Sequence, residues 1–415
     1  MLFGISKFKI IDIFIIAIFG ITFFSIPAFS FQGYGKYITW ILSIILFVCI
    51  AVSIFLYHKL IIDSVALSLV LFAFFAFFAS LIGGFQAFKK TAILLSLTTF
   101  IIYVYCKSTK HTSIPNYMFL SAFIGVALFL VLYLIKYREE LISLNFTRLG
   151  DEFGDNNDIS IFLGLGLLFS FYYLLFEKNK VLKIVSAMLI PLFVLTGFST
   201  GSKIFVLILL ISFVLYPILF FGKKKWWCSV LFILLSIIIF LIVINLPFFE
   251  TIKKRMDDFI STILGHTVGD GKVGEASTLN RFNMFVCGVE MWLRRPIFGW
   301  GIWGFSVYSG GSGGWSHNDI SESLCNFGLL GSILFHFGFY TSLKNYFKTD
   351  NKKNLALPLM ILSLFIACML SVALNSQKIY SYIIGIVFSQ MDESYVFFEF
   401  KFNHHKHIEQ VEELL

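Results

Sequence analysis

Six arginines stand in this chain: Arg138, Arg148, Arg255, Arg281, Arg294 and Arg295. All fall in two stretches, 136–158 and 248–324, that interrupt long apolar runs, whereas the short connections elsewhere use lysine. A guanidinium is a planar fork that grips phosphate oxygens in pairs, where an ammonium acts as a point charge. The segregation therefore points to an anionic ligand, a diphosphate among the candidates. The competing reading is pairing with Glu139, Glu140, Asp151, Glu152, Asp257 or Asp258, which in exposed loops contributes little to stability.

Within the longer stretch, Thr278 or Asn280 is placed to cap a helix that runs to Arg295 and is stopped by Pro296. At 3.6 residues per turn, Arg281, Phe285, Gly288, Trp292 and Arg295 share one face, with cations at both ends and an aromatic floor. Such a face suits a phosphorylated sugar, and equally a helix lying flat on a bilayer. Gly299-Trp300-Gly301 and the run from Ser309 to Gly314 supply turn and hinge residues. The second is no phosphate-binding P-loop, because no Lys-Ser/Thr pair follows at the required spacing.

Ser316-His317-Asn318-Asp319 comes next. Ser316 and Asp319 have the spacing of a capping box, which would put His317 in the first helical turn. The positive end of the helix dipole disfavours an imidazolium there, and a neutral ring can take a proton from a hydroxyl. Asn318 and Glu322, at i and i+4, are placed to orient that ring or to meet sugar hydroxyls. A histidine at a helix start is also commonly structural. In the shorter stretch, Asn157 is the expected cap of the following helix. Lys203 opens another helix on the same side, where it either snorkels to the interface or faces phosphates.

The elements that must carry these residues are spanning helices. Apolar residues make up 58% of the chain, charged residues 13%, and mean hydropathy is +0.87. A soluble domain averages roughly 25% charged residues, so this stock cannot build a water-exposed surface. Apolar runs lie near 10–29, 37–57, 61–82, 91–106, 117–135, 159–176, 180–197, 203–221 and 228–247, then near 325–343, 355–374 and 378–398. Each is long enough to cross about 30 Å of hydrocarbon. The last is broken by Gln390, Asp392 and Glu393. The expected fold is thus an all-α polytopic membrane protein of about 11–12 spans with one large extracytoplasmic loop. It divides into a bundle over 1–247, the loop over 248–324, further helices over 325–398 and a tail over 399–415. The first run reads as a retained helix rather than a cleaved leader, since no small-residue cleavage pattern follows it.

Lysines set the orientation. Lys7, Lys9, Lys59, Lys107, Lys110, Lys178, Lys180, Lys183, Lys223 to Lys225, Lys344, Lys348, Lys352 and Lys353 fall on one side if both termini are cytoplasmic; Lys89 and Lys90 run against the rule. The net charge of +8 fits basic cytoplasmic loops and does not imply nucleic acid. The six cysteines form no CxxC pair and read as small core residues. No metal site is expected, His404, His405 and His407 in the tail included.

In this order, Arg148-Leu149-Gly150 with Asn157, Thr196-Gly197 with Ser202-Lys203, and Arg281, Trp292, Pro296, Gly299, Gly301 and Phe305 resemble the O-antigen ligase/polymerase superfamily. The most specific stretch is His317-Asn318, Glu322, Gly328 and Gly331. The resemblance implies a helical bundle related to the C-type glycosyltransferases, in the bacterial inner membrane. It implies a metal-independent, cofactor-free inverting transfer on the outer face, from oligosaccharide carried on undecaprenyl diphosphate. Arg281 would hold the diphosphate and His317 would activate the acceptor hydroxyl or orient the phosphate. Arg148, Lys203, Arg255, Arg295, Asn318 and Glu322 would bind substrate. Many members have arginine where Lys203 stands.

The function so implied is a surface-polysaccharide polymerase joining repeat units, with a chain-length regulator as a possible partner. A ligase moving the glycan to lipid A-core is the alternative. A transporter or flippase is the rival from another class. Transporters keep ionisable residues or broken helices at mid-membrane, and here Asp12 and Asp63 lie near span ends.

Overall fold

The computed structural model describes residues 9–29, 35–82, 91–109, 113–143, 149–153, 155–221, 225–245, 273–309, 316–346, 378–391 and 396–400, with short pieces between 250 and 261. The helices are α1 (Ile10–Phe29), α2 (Gly35–Tyr57), α3 (Ser64–Ile82), α4 (Thr91–Ser108), α5 (Ile114–Lys136), α6 (Arg138–Ile142), α7 (Asn156–Phe176), α8 (Lys180–Ser199), α9 (Lys203–Phe221) and α10 (Trp226–Ile244). They continue with α11 (Val273–Arg294), α12 (Gly304–Tyr308), α13 (Asp319–Tyr346) and α14 (Lys378–Met391). Six helices among the described residues are long and apolar enough to cross a membrane, and four shorter apolar helices accompany them. The protein is an all-α polytopic membrane protein, as its composition requires. The run expected at 355–374 lies outside the described residues.

Helix ends follow local chemistry, with small departures from the sequence reading. Asp155, not Asn157, caps α7: its carboxylate accepts from the Asn157 backbone N–H at 2.6 Å. The span expected over 378–398 ends at Met391, at the polar break the sequence contains. Residues Val396–Phe400 instead form strand β2, antiparallel to β1 (Leu60–Asp63), with Leu60 opposite Phe400 and Lys59 paired to Glu399 at 2.7 Å. An aromatic-rich run suits an extended chain when a partner edge is at hand. The start of the tail and the α2–α3 connection therefore share one end of the bundle.

That end is held by buried acids. Asp12 accepts from Ser53 at 2.6 Å and Tyr105 at 2.7 Å, with His58 at 3.4 Å. Asp63 accepts from Tyr103 at 2.6 Å, pairs with Lys107 at 3.3 Å and caps α3 through the Ala66 N–H at 2.9 Å. Paired in this way, carboxylates are tolerated among apolar helices where unpaired ones are not. Above them, α1 and α5 run parallel and close: Ser121 donates to the Ile16 carbonyl at 2.6 Å, and a Cβ at Gly125 would lie 2.8 Å from the Gly20 carbonyl. Small residues permit such approach where lipid offers no hydrophobic drive. Phe23, Phe119, Phe123, Phe129, Phe162 and Phe169 fill the adjoining core.

The least regular element is α13. Its residue Gly328 has φ 63° and ψ −168°, and the chain there doubles back. Asp319 lies 3.1 Å from His336, and Ser323 lies 3.0 Å from Ser332. In a straight helix those pairs would be separated by roughly 25 and 13 Å of rise. Residues 319–327 and 329–346 are therefore two limbs of a hairpin, although 319–341 has the length and apolarity of a single crossing. An oxidant should join cysteines introduced by Ser323→Cys and Ser332→Cys, consuming the two added maleimide-reactive thiols and returning the count to that of the parent chain. Full retention of both thiols would indicate a straight helix.

Candidate functional site

The Gly328 turn is stitched to the segment between α11 and α12. Trp300 N–H donates to the Cys325 carbonyl and Gly301 N–H to that of Asn326, both at 2.9 Å. In return, Leu329 donates to Pro296 at 2.7 Å and Leu330 to Ile297 at 3.2 Å. The backbone groups released by breaking the helix are thus satisfied by the loop, which is what a non-helical segment at membrane depth requires. Gly299 and Gly301 have φ of 68° and 90°. A Cβ at Gly299 would lie 2.5 Å from the Gly328 nitrogen. Here the sequence's hinge glycines serve as close-packing residues instead. Gly328→Ala would press a methyl against the Ile297 carbonyl and 2.6 Å from Gly299 N, at a positive φ. The expected result is a loss of at least about 1–3 kcal/mol, read as a clearly lower midpoint of thermal unfolding in detergent.

Helix α11 starts at Val273, so Thr278 and Asn280 lie inside it rather than capping it; it ends at Arg294, one residue before the expected stop. Its buried stripe is Met284, Gly288 and Met291, packed on Phe305 and Cys325. Gly288 meets the start of α13: a Cβ there would lie 3.1 Å from Ser321 Oγ and 3.4 Å from Ser316 Cβ. Arg281, half-buried, is two turns away on the same face, on the order of 10 Å along the axis. The arginine helix and the segment that carries His317 are thus packed against each other through Gly288. Phe285 and Trp292 flank this stripe, with Phe285 36% exposed. At the other end of α11, the Arg295 guanidinium lies 4.1 Å over the Trp300 ring, a cation–π contact, and the Trp300 indole donates to the Met291 carbonyl at 2.7 Å.

The expected Ser316–Asp319 capping box does not form. Asn318 is the cap: its side chain accepts from Ser321 N–H at 3.0 Å and its carbonyl from Glu322 N–H at 3.0 Å. His317 therefore lies just before the helix, in the left-handed region at φ 55°, a conformation histidine tolerates better than most residues. Glu322 is buried, 1% exposed. Its carboxylate accepts from Ser316 N–H at 2.6 Å and from the Asn326 amide at 2.9 Å, while Asn326 accepts from Phe305 N–H at 3.0 Å. One carboxylate thus ties the His317 segment to the limb and, through Asn326, to α12. Its carboxylate oxygens thus engage Ser316 and Asn326, where the sequence offers either orientation of His317 or contact with sugar hydroxyls.

The shorter stretch is knitted separately. Leu149 N–H donates to the Ser199 carbonyl at 2.8 Å, Ser199 bonds Tyr133 at 2.9 Å, Ser160 bonds Thr200 at 2.7 Å, and Ser202 donates to Asn157 at 2.9 Å. Lys203 begins α9 beside this network and is half-buried. Arg148 and Arg255, the run 310–315 and the tail histidines lie outside the described residues.

Sequence reasoning overlooked Asp319 as a partner of His336, along with the linking role of Asn326. A lone imidazole inside an apolar run was the available signal, since ionisable groups at membrane depth are costly. The Asp319–His336 pair lies within the apolar stretch 319–341.

A multi-pass membrane protein with a broken helix, an arginine-bearing helix packed on it and a histidine at their junction is the class that fold and site define. Residues 188–336 match the family model described as O-antigen ligase, a stretch of about a third of the chain that runs from α8 to His336 in α13. That similarity supports a place in the O-antigen ligase/polymerase superfamily, a family of glycosyl-transferring membrane enzymes. No curated protein matches the chain.

Proposed function

We propose that the protein is a surface-polysaccharide polymerase of the inner membrane, with both termini cytoplasmic. It would join oligosaccharide repeat units carried on undecaprenyl diphosphate by an inverting transfer at the outer face. The observation that carries this reading is the packing of the Arg281 helix, through Gly288, against the Ser316-His317-Asn318 segment. Arg281 neutralises charge developing on the departing lipid diphosphate, and preorganised cations of this kind contribute several kcal/mol. His317 takes the proton from the attacking hydroxyl as the new glycosidic bond forms. Glu322 positions the segment rather than touching sugar. Because Asp319 lies against His336, His317 is drawn in among the spanning helices, where a lipid-borne group reaches it without leaving the bilayer. Lys203, Arg148, Arg255, Arg295 and Asn318 are the further groups proposed to meet substrate.

The ligase reading shares this donor chemistry and differs only in the acceptor. Incubating the purified protein with defined lipid-linked oligosaccharide, alone or with lipid A-core, separates the two. Longer lipid-linked chains without core support the polymerase, and glycan transferred to core supports the ligase. The broken helix and the buried Asp319–His336 pair are also devices that transporters use. Lipid-linked substrate that is moved across a vesicle membrane with no new glycosidic bond would support that reading instead.

A further inference from the structure

Asp319 is fully buried, and its Oδ2 lies 3.1 Å from Nε2 of His336 in the opposite limb. The other ring nitrogen, Nδ1, lies 2.8 Å from the Ser332 carbonyl oxygen. A carbonyl only accepts, so Nδ1 carries a proton and donates it. Nε2 and Oδ2 then need one proton between them. Either an imidazolium donates to a carboxylate, or a carboxylic acid donates to a neutral ring. Both forms are neutral overall, the condition under which ionisable groups sit among apolar helices. Whichever atom holds that proton, the pair ties the start of one limb to the middle of the other.

One residue separates Asp319 from His317. The bonds from Glu322 to Ser316 and from Asn318 to Ser321 attach the His317 segment to limb 319–327. The Asp319–His336 contact attaches that limb, at its start, to limb 329–346. The other cross-link, Ser323 to Ser332, lies closer to the turn at Gly328 and so constrains the start of the limb less. The backbone on either side of His317 is thus tied to the first limb, and through Asp319 to the second.

We propose that Asp319 and His336 are positioning residues for glycosyl transfer: their contact fixes where His317 stands without touching substrate. This rests on the reading of the site given above. In the full-length protein in lipid nanodiscs, His336→Ala and Asp319→Ala should each lower turnover by up to the order of 10²-fold, the cost of slight misplacement of a catalytic group. KM for the lipid-linked donor should stay within about twofold, since donor contacts are retained. The exchanged pair, Asp319→His with His336→Asp, should recover much of the turnover lost by either single change. His336→Gln, whose amide can donate to the carboxylate, should exceed His336→Ala and serves as the comparison if the alanine variants do not accumulate.

Independently of activity, the yield of the disulfide from Ser323→Cys and Ser332→Cys should fall when His336→Ala is added. Wild-type turnover in the single variants, or an exchanged pair no better than they are, overturns the proposal. If the unaltered protein forms no glycosidic bond with any lipid-linked donor, the functional reading fails instead. The thiol measurement then decides whether the tie exists, an unchanged yield excluding it.

Discussion

Arg281→Ala is expected to lower product formation by about 10²–10³-fold or more, the loss seen when one preorganised donor to developing negative charge is removed. Arg281 is half-buried at the border of the Gly288 stripe, which is itself carried by Met284 and Met291. Removing the guanidinium leaves that packing intact, so protein abundance should stay near normal. Arg281→Lys keeps the charge and loses the fork. It should recover part of the activity, the shortfall measuring the bidentate grip. Extension of a defined lipid-linked oligosaccharide, followed on a gel, reads all three proteins. Unimpaired chain length in the alanine variant would remove Arg281 from the diphosphate.

His317→Ala should be comparably severe, within the 10²–10⁴-fold range of general acid–base help. Here the backbone complicates the reading, because residue 317 adopts φ 55°, where alanine is less at ease than glycine. His317→Gly relieves that constraint while removing the imidazole just as completely. If the ring performs the chemistry, the glycine variant should be as inactive as the alanine variant and at least as stable. Activity restored by glycine would mean that the position matters for its backbone, and full activity in either variant would exclude a proton-transfer role.

Much of the fold was legible in the sequence because bilayer crossing is decided locally: a run of sufficient apolar length spans, whatever lies elsewhere in the chain. Runs such as 10–29 and 203–221 coincide with α1 and α9 to the residue. The arginine-bearing face of α11 was legible for a similar reason, since helical periodicity fixes which residues share a side. Where the reading departed, a longer-range partner had intervened. Asn157 was expected to cap α7, but Asp155 holds that place and Asn157 accepts from Ser202, 45 positions away. The run after Met391 turned to strand because β1, far earlier in the chain, offered it an edge.

The hairpin at Gly328 shows the same division more sharply. The sequence by itself determined that the chain lives in a bilayer, that arginine is confined to two interrupting stretches, and that histidine, asparagine and glutamate follow the longer arginine helix at fixed spacing. It offered no means of telling one crossing from two limbs, because 319–341 is apolar enough for either. Only the tertiary structure decided that, through backbone bonds from residues 296–301 that take over the groups freed at Gly328, and through Asp319 meeting His336 across the turn. Composition and period are sums over neighbours along the chain, whereas the satisfaction of a broken helix depends on which distant segment arrives to complete it.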